Sequence, residues 1–277
     1  MQTENIPQIQ MENHSITSII LERDVMVDCY LPTSIDDPTN LRLLIINDGQ
    51  DLVKMDFKSI LSKLYSARKI QPILCVAIHC SANRREEYGT AKILDYKGRG
   101  LLAAFYQQFI FEELLPYIRV TYNINSFQDK SICGFSMGGL SALDTAWNHP
   151  QEFTRVGVFS GSLWWRTVSQ EDPTFDESEH RIMHNQIREG QYCSWLKFFF
   201  ETGTQDESAD RNNNGIIDAI DDTVSLIDEL VEKGYDRNND IKYVELSDGR
   251  HDVLTWAKAF PEFLIWGWGS SQRSGCK

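Results

Sequence analysis

Two runs, "LRLLIIN" at residues 41–47 and "PILCVAIH" at residues 72–79, are apolar at nearly every position. A strand with one wet face alternates apolar and polar residues. A continuous run rich in branched side chains marks a strand covered on both faces. Between the two runs, residues 55–69 carry helical spacing. Covered strands joined through a helix imply a parallel sheet held between helical layers.

The rest of the chain extends that pattern. Strands are expected at 16–21 and 25–31, joined by the turn "ERD" and followed by the loop "LPTSIDDPTN". The polar, glycine-punctuated stretch 84–100 reads as a surface excursion, and 101–122 as a long amphipathic helix slowed near Pro116. A strand at 130–134, a helix at 136–149 and the strand "RVGVFS" come next. The most charged stretch, 167–190, reads as an inserted lobe or lid. The strand "WLKFFFET", a helix at 221–234, the strand "IKYVELS" and a helix at 253–266 complete the order. The expected architecture is a single α/β domain over residues 1–277. Its sheet is mostly parallel with an antiparallel N-terminal hairpin, and helices cover both faces. Apolar content of 42%, with seven Trp and fourteen Phe, is ample for one such core.

A net charge of −13 argues against nucleic acid, which needs clustered Lys and Arg. No run approaches the ~18 apolar residues of a membrane span, and no basic segment with an apolar follower opens the chain. A cytoplasmic location is the expectation, a trimmed secreted or periplasmic form the alternative; the oligomeric state is open. Cys29, Cys75, Cys80, Cys133, Cys193 and Cys276 are scattered without zinc-finger spacing and read as small buried hydrophobes.

The chemistry concentrates in "KSICGFSMGGLSALDTA", residues 130–146. Gly134-Phe135-Ser136-Met137-Gly138 satisfies G-x-S-x-G where a strand passes sharply into a helix. A serine on so tight a turn is strained, and side chains two positions away on either side would collide with the neighbouring strand and helix. Glycine removes those collisions. The turn lifts the hydroxyl above the sheet edge, and the Met137 amide at the helix N-terminus faces a developing oxyanion. The bland alternative is a helix-capping serine.

A serine hydroxyl needs a base. His14 lies in the N-terminal tail, His149 precedes Pro150 at a helix end, His79 closes a buried strand, and His180 with His184 in "HRIMH" lack the glutamate of a zinc motif. His251, in "LSDGRHDVLTW" after the last strand, lies on the edge where Ser136 is expected. Serine, acid, histidine is the chain order of this arrangement. The acid then falls in "FFFETGTQDES", as Asp206 with Glu207 in reserve. A second oxyanion donor is expected from the loop "INDGQDL", where the Asp-Gly turn presents the amide of Gln50, or of Asp51.

Together these segments resemble the esterase D-like branch of the α/β-hydrolase superfamily. That branch includes feruloyl and acetyl-xylan esterases, S-formylglutathione hydrolases, siderophore-ester hydrolases and mycolyltransferases. The resemblance runs from "VDCYLP" through "INDGQDL", "RREEYG", "FIFEELLPYI", "GFSMGGLSALD" and "FSGSLWW" to "GTQDE" and "GRHDVLTW". It implies Ser136 as nucleophile, Asp206 as acid, His251 as base, and Met137 with Gln50 as the oxyanion hole. It implies a small-molecule ester substrate, aromatic or sugar-linked. Two features depart from the family: the oxyanion loop reads Asn-Asp-Gly-Gln where many members have His-Gly, and the insert at 167–190 has no counterpart.

Trp164 and Trp165 in "FSGSLWW", with Arg85, Glu87 and Tyr88 in "RREEYG", are candidate substrate contacts; core packing and loop anchoring are the alternatives. Residues 210–221, "DRNNNGIIDAID", fit a twelve-residue calcium loop. Asp210, Asn212, Asn214, the Ile216 carbonyl, Asp218 and Asp221 would be ligands, and Gly215 the turn. Self-capping Asx turns are the alternative. A bound calcium ion would brace the Asp206 turn structurally, and no cofactor is expected in the chemistry. The leading function is a serine carboxylesterase. An acyltransferase on the same residues, or a non-catalytic binding protein on a hydrolase scaffold, are the alternatives.

Overall fold

The computed structural model describes residues 8–33 and 41–270. The expected loop at 34–40 and Cys276 lie outside the described residues. Eight strands form one sheet in the order β1-β2-β4-β3-β5-β6-β7-β8. They are β1 (Ile9–Ser18), β2 (Arg23–Pro32), β3 (Arg42–Asn47), β4 (Ile73–Ile78), β5 (Lys130–Phe135), β6 (Arg155–Phe159), β7 (Lys197–Gln205) and β8 (Ile241–Arg250). β1 pairs antiparallel with β2, and β2 antiparallel with β4; every later pairing is parallel. This is the α/β-hydrolase architecture, hairpin included.

The apolar runs behave as their composition requires. In β3, Leu43 and Ile45 face one core, and Leu44 and Ile46 the other. Over the first core lie α3 (Ala103–Phe109), α4 (Leu115–Tyr122), α5 (Met137–Asn148), α7 (Ile182–Glu189) and α8 (Asp218–Lys233). Over the second lie α1 (Phe57–Ser66) and α9 (Val253–Trp268). Two short helices, α2 (Arg84–Glu87) and α6 (Glu177–His180), sit in connections.

Three expectations shift. The long helix at 101–122 is α3 and α4 joined by a π turn, Ile110–Leu114, just ahead of Pro116. Proline has no N–H to give the ladder and its ring crowds the carbonyl four residues back, so the wider turn absorbs it. The stretch 84–100 is a surface excursion only in part: residues 85, 92–94 and 96–98 are exposed, and the rest turns inward. Glu87, Tyr88, Thr90 and Asp95 are buried, because the polar groups are partnered: Arg23 with Glu87, Arg99 with Asp95, the Ala91 amide with Asp144. Within 167–190, α7 buries Ile182, Met183, His184 and Ile187 and belongs to the crossover from β6 to β7; the exposed part lies before it.

Candidate active site

Ser136 sits between β5 and α5 with φ 54° and ψ −122°. A non-glycine residue there costs about 1–3 kcal/mol and persists only where its surroundings over-determine it. They do. Its amide donates to Phe159 O (2.9 Å), and its carbonyl accepts from the amides of Gly139 (3.0 Å), Leu140 (3.2 Å) and Ser162 (3.1 Å). The flanking glycines are required by space. A Cβ on Gly134 would lie 2.2 Å from the Gly138 carbonyl, and one on Gly138 would lie 2.4 Å from Asp48 Oδ2. The Ser136 hydroxyl is half-buried, with Ser162 Oγ 3.4 Å away.

The loop after β3 forms a single 3-10 turn, Gly49–Asp51, entered through Asp48 at φ 60°. Asp48 is 1% exposed and holds Arg84 in a two-pronged pair, each contact 2.7 Å; the guanidinium also donates to Phe135 O at 3.2 Å. That pair ties the loop after β3 to the strand that leads into Ser136. Gln50 is pinned by its side chain, whose Oε1 accepts from the Cys80 amide (3.0 Å). Its own backbone N–H donates to no acceptor among the described residues. The Met137 amide, first in α5, likewise has no intrahelical partner.

β7 and β8 bring the acid and the histidine together. Gly203 and Gly249 pack backbone on backbone, such that a Cβ on Gly203 would lie 2.4 Å from Gly249. The β7–β8 register shifts between Gly203 and Gln205. Past this pinch Asp206 turns back, its Oδ2 accepting from the Gly203 amide at 3.1 Å. A cavity of about 80 Å³ is lined by Ser160, Ser162, Trp164, Asp206, Glu207 and His251, among others. Asp206 Oδ1 is buried without a hydrogen-bond partner. Among the described residues the His251 ring makes no hydrogen bond; it meets the Trp256 indole edge-on at 5.5 Å. The structure therefore brings Asp206 and His251 to one cavity, with Ser136 next to its Ser162 wall, without closing hydrogen bonds between the three.

The electrostatics of the cavity pull in opposite directions. Burial raises the Asp206 carboxyl, against the Gly203 amide and the His251 charge, which lower it. Burial lowers the His251 imidazole, and Asp206 opposes it. Glu207, the reserve acid, is also raised by burial. One further carboxyl escaped sequence reasoning. Glu201 ends "KFFFE" on β7 at 1% exposure, pushed up to about 8 by burial, with the Asp206 charge adding. Its Oε2 is 3.5 Å from Ser160 Oγ, which in turn accepts from Trp256 Nε1 (2.9 Å), and its Oε1 has no partner. An acid breaking an aromatic run inside a covered strand was the available signal.

Of the expected substrate contacts, only Trp164 lines the cavity. Trp165 is fully buried against Gly89, where a Cβ would lie 2.7 Å from its ring. Tyr88 is fully buried too, its hydroxyl accepting from the Asp48 amide at 3.1 Å. Both are scaffold because the 84–100 segment folds inward. Arg85 is exposed on α2, and its neighbour Arg84 is the one built into the site.

The 210–221 loop closes on itself. Asp210 accepts from the amides of Asn214 (3.1 Å) and Gly215 (2.9 Å), with Gly215 at φ 86°. Asn212 and Asn214 both direct their amide nitrogens at Asp221 Oδ2, each at 2.8 Å. Asp218 is held by the Arg211 amide (2.9 Å) and guanidinium (3.2 Å). Ile216 presents its side chain to solvent. These contacts are the self-capped arrangement. No group of three His, Cys, Asp or Glu among the described residues is disposed to hold a metal. As folded, Asn212 and Asn214 turn their nitrogens rather than their oxygens toward Asp221.

A strained serine at a strand-to-helix elbow, on a parallel sheet with an N-terminal hairpin, defines an α/β-hydrolase. The family model described as "Putative esterase" matches residues 18–266, and the chain belongs to that Esterase family, by class a carboxylic ester hydrolase. It is 21% identical over 252 residues to the uncharacterized protein YbbA of Bacillus subtilis (strain 168), covering 88% of this chain and 92% of that one. An iron(III) enterobactin esterase of Dickeya dadantii (strain 3937) is 28% identical over 160 residues, covering 56% of this chain and 33% of that protein. An enterobactin esterase from Shigella flexneri, solved in the presence of enterobactin, superposes with TM-score 0.71 at 21% identity. That match covers 94% of this chain and 58% of that one, so the chain spans little over half the length of the Shigella esterase. A siderophore hydrolase, EstB, from Aspergillus nidulans superposes with TM-score 0.66 at 17% identity, covering 96% of this chain and 97% of that one. Among the described residues, no helix is long and apolar enough to cross a membrane.

Proposed function

We propose that the chain cleaves carboxylic esters through an acyl-enzyme on Ser136. The observation that carries this is the Ser136 backbone, held at φ 54° by four hydrogen bonds and two glycines that admit no side chain. His251 removes the hydroxyl proton as Oγ attacks the ester carbon. The oxyanion that forms is met by the unpaired amides of Met137 and Gln50. His251 then returns the proton to the departing alcohol, and a water repeats the cycle on the acyl-enzyme. Asp206 holds the imidazole tautomer, and its unpartnered Oδ1 is the acceptor an imidazole N–H would fill. The Ser136–His251 bond is formed with substrate in place, as catalytic hydrogen bonds loose in the free enzyme commonly are.

The relatives' names, enterobactin esterase and siderophore hydrolase, support a small-molecule ester whose acyl or alcohol part lies along Trp164. A calcium ion in the 210–221 loop is not needed for this chemistry. If bound, it would brace the Asp206 turn, and it would have to bring the oxygens of Asn212 and Asn214 inward.

The test is incubation with p-nitrophenyl acetate and with a fluorophosphonate probe, Ser136→Ala as control. Nitrophenolate release and labelling are expected in the wild type and lost in the variant. Labelling that survives the substitution would assign the nucleophile elsewhere.

A further inference from the structure

A second cavity, of about 270 Å³, adjoins the one holding Asp206 and His251; the two share Trp164 and Glu207 as walls. In a chain of net charge −13, this cavity gathers Lys97, Arg99 and Arg166. Arg99 is matched by Asp95 and lies over Trp164 and Trp165, 5.0 Å from each ring. Arg166 is not matched. Its guanidinium lies 5.9 Å over Trp164 and 5.7 Å over Phe175, and it has no ion pair or side-chain hydrogen bond among the described residues. Its Nε is buried without a partner.

Ring faces attract a cation but do not satisfy N–H groups in the plane of the guanidinium. Burial makes that charge costly, and Asp222 offsets the cost only in part. The nearby acids Asp222 and Asp218 act on Arg166 only from a distance: both are paired with Arg211, and neither makes an ion pair or hydrogen bond with Arg166. A planar fork of donors with unmade bonds matches two oxygens of a carboxylate.

We propose that this cavity is the subsite for a carboxylate carried by the ester substrate, with Arg166 as its binding residue and Trp164 alongside the chain that links carboxylate to ester. This rests on the ester-hydrolase reading of Ser136 and adds to it the class of substrate.

The test compares mono-p-nitrophenyl glutarate with p-nitrophenyl pentanoate, similar in size and differing in the terminal charge. The ratio of their kcat/KM values is expected to favour the anion and to fall by about tenfold or more in Arg166→Gln, with part retained in Arg166→Lys. Calorimetric titration with benzene-1,4-dicarboxylate reads the same site without turnover. Binding is expected to weaken about tenfold in Arg166→Gln, and the difference to shrink as salt rises. An unchanged ratio with unchanged dicarboxylate affinity overturns the subsite and leaves the esterase reading standing. Arg166-dependent binding with neither ester cleaved keeps the subsite and removes the esterase reading.

Discussion

Glu201→Gln isolates the cost of keeping a carboxyl beside Asp206 in a dry strand. In the folded protein Glu201 releases its proton at about 8; the unfolded chain releases it near 4.5. Between those values the unfolded state has lost a proton that the folded state keeps. The folded state binds more protons there, so stability falls as pH rises. Each pH unit is worth about 1.4 kcal/mol, or roughly 3 kcal/mol by pH 7 and about 5 kcal/mol across the window. Glutamine has the shape of the neutral acid and no titration. The variant is expected to match the wild type near pH 4.5 and to exceed it by a margin that grows toward pH 8. Urea unfolding followed by tryptophan fluorescence at half-unit steps measures that margin. A difference that stays constant from pH 5 to 8 would refute the reasoning, since Glu201 would then not be the group holding the extra proton.

Gly138→Ala is expected to lose about 1–3 kcal/mol by overpacking, because Asp48 Oδ2, 2.4 Å from the new Cβ, is clamped by Arg84 and cannot retreat. A loss below about 0.5 kcal/mol in urea would mean that the elbow has slack. The acid limb of kcat/KM is expected below 6.5, since burial lowers the His251 imidazole more than Asp206 raises it; the rate grows as pH climbs through that limb. In Asp206→Asn the limb moves further to acid and the plateau falls by roughly 10²–10⁴; a limb moving toward alkali would contradict the pairing. Calcium at millimolar concentration is expected to leave the melting midpoint unchanged, the 210–221 loop being closed by its own hydrogen bonds. A dose-dependent rise that disappears in Asp221→Asn would reinstate the ion.

What the chain alone determined is what depends on neighbours in sequence. The runs at 41–47 and 72–79 must be covered strands whatever surrounds them, and Gly134 and Gly138 flank Ser136 because a strand-to-helix elbow leaves no room there. Chain order also put Asp206 and His251 on one edge, since in a parallel sheet the strand ends share a side. Burial was decided elsewhere. Tyr88 and Trp165 look like pocket walls in sequence and are scaffold in the fold, because aromatic residues suit either place and only the path of the 84–100 segment chooses. The Asp48–Arg84 clamp spans 36 residues, Glu201 meets Ser160 across two strands, and Arg166 is left without an ion pair because Asp218 and Asp222 pair with Arg211. Pairings of that kind depend on which charge is desolvated beside which, a property of distances that linear spacing does not carry.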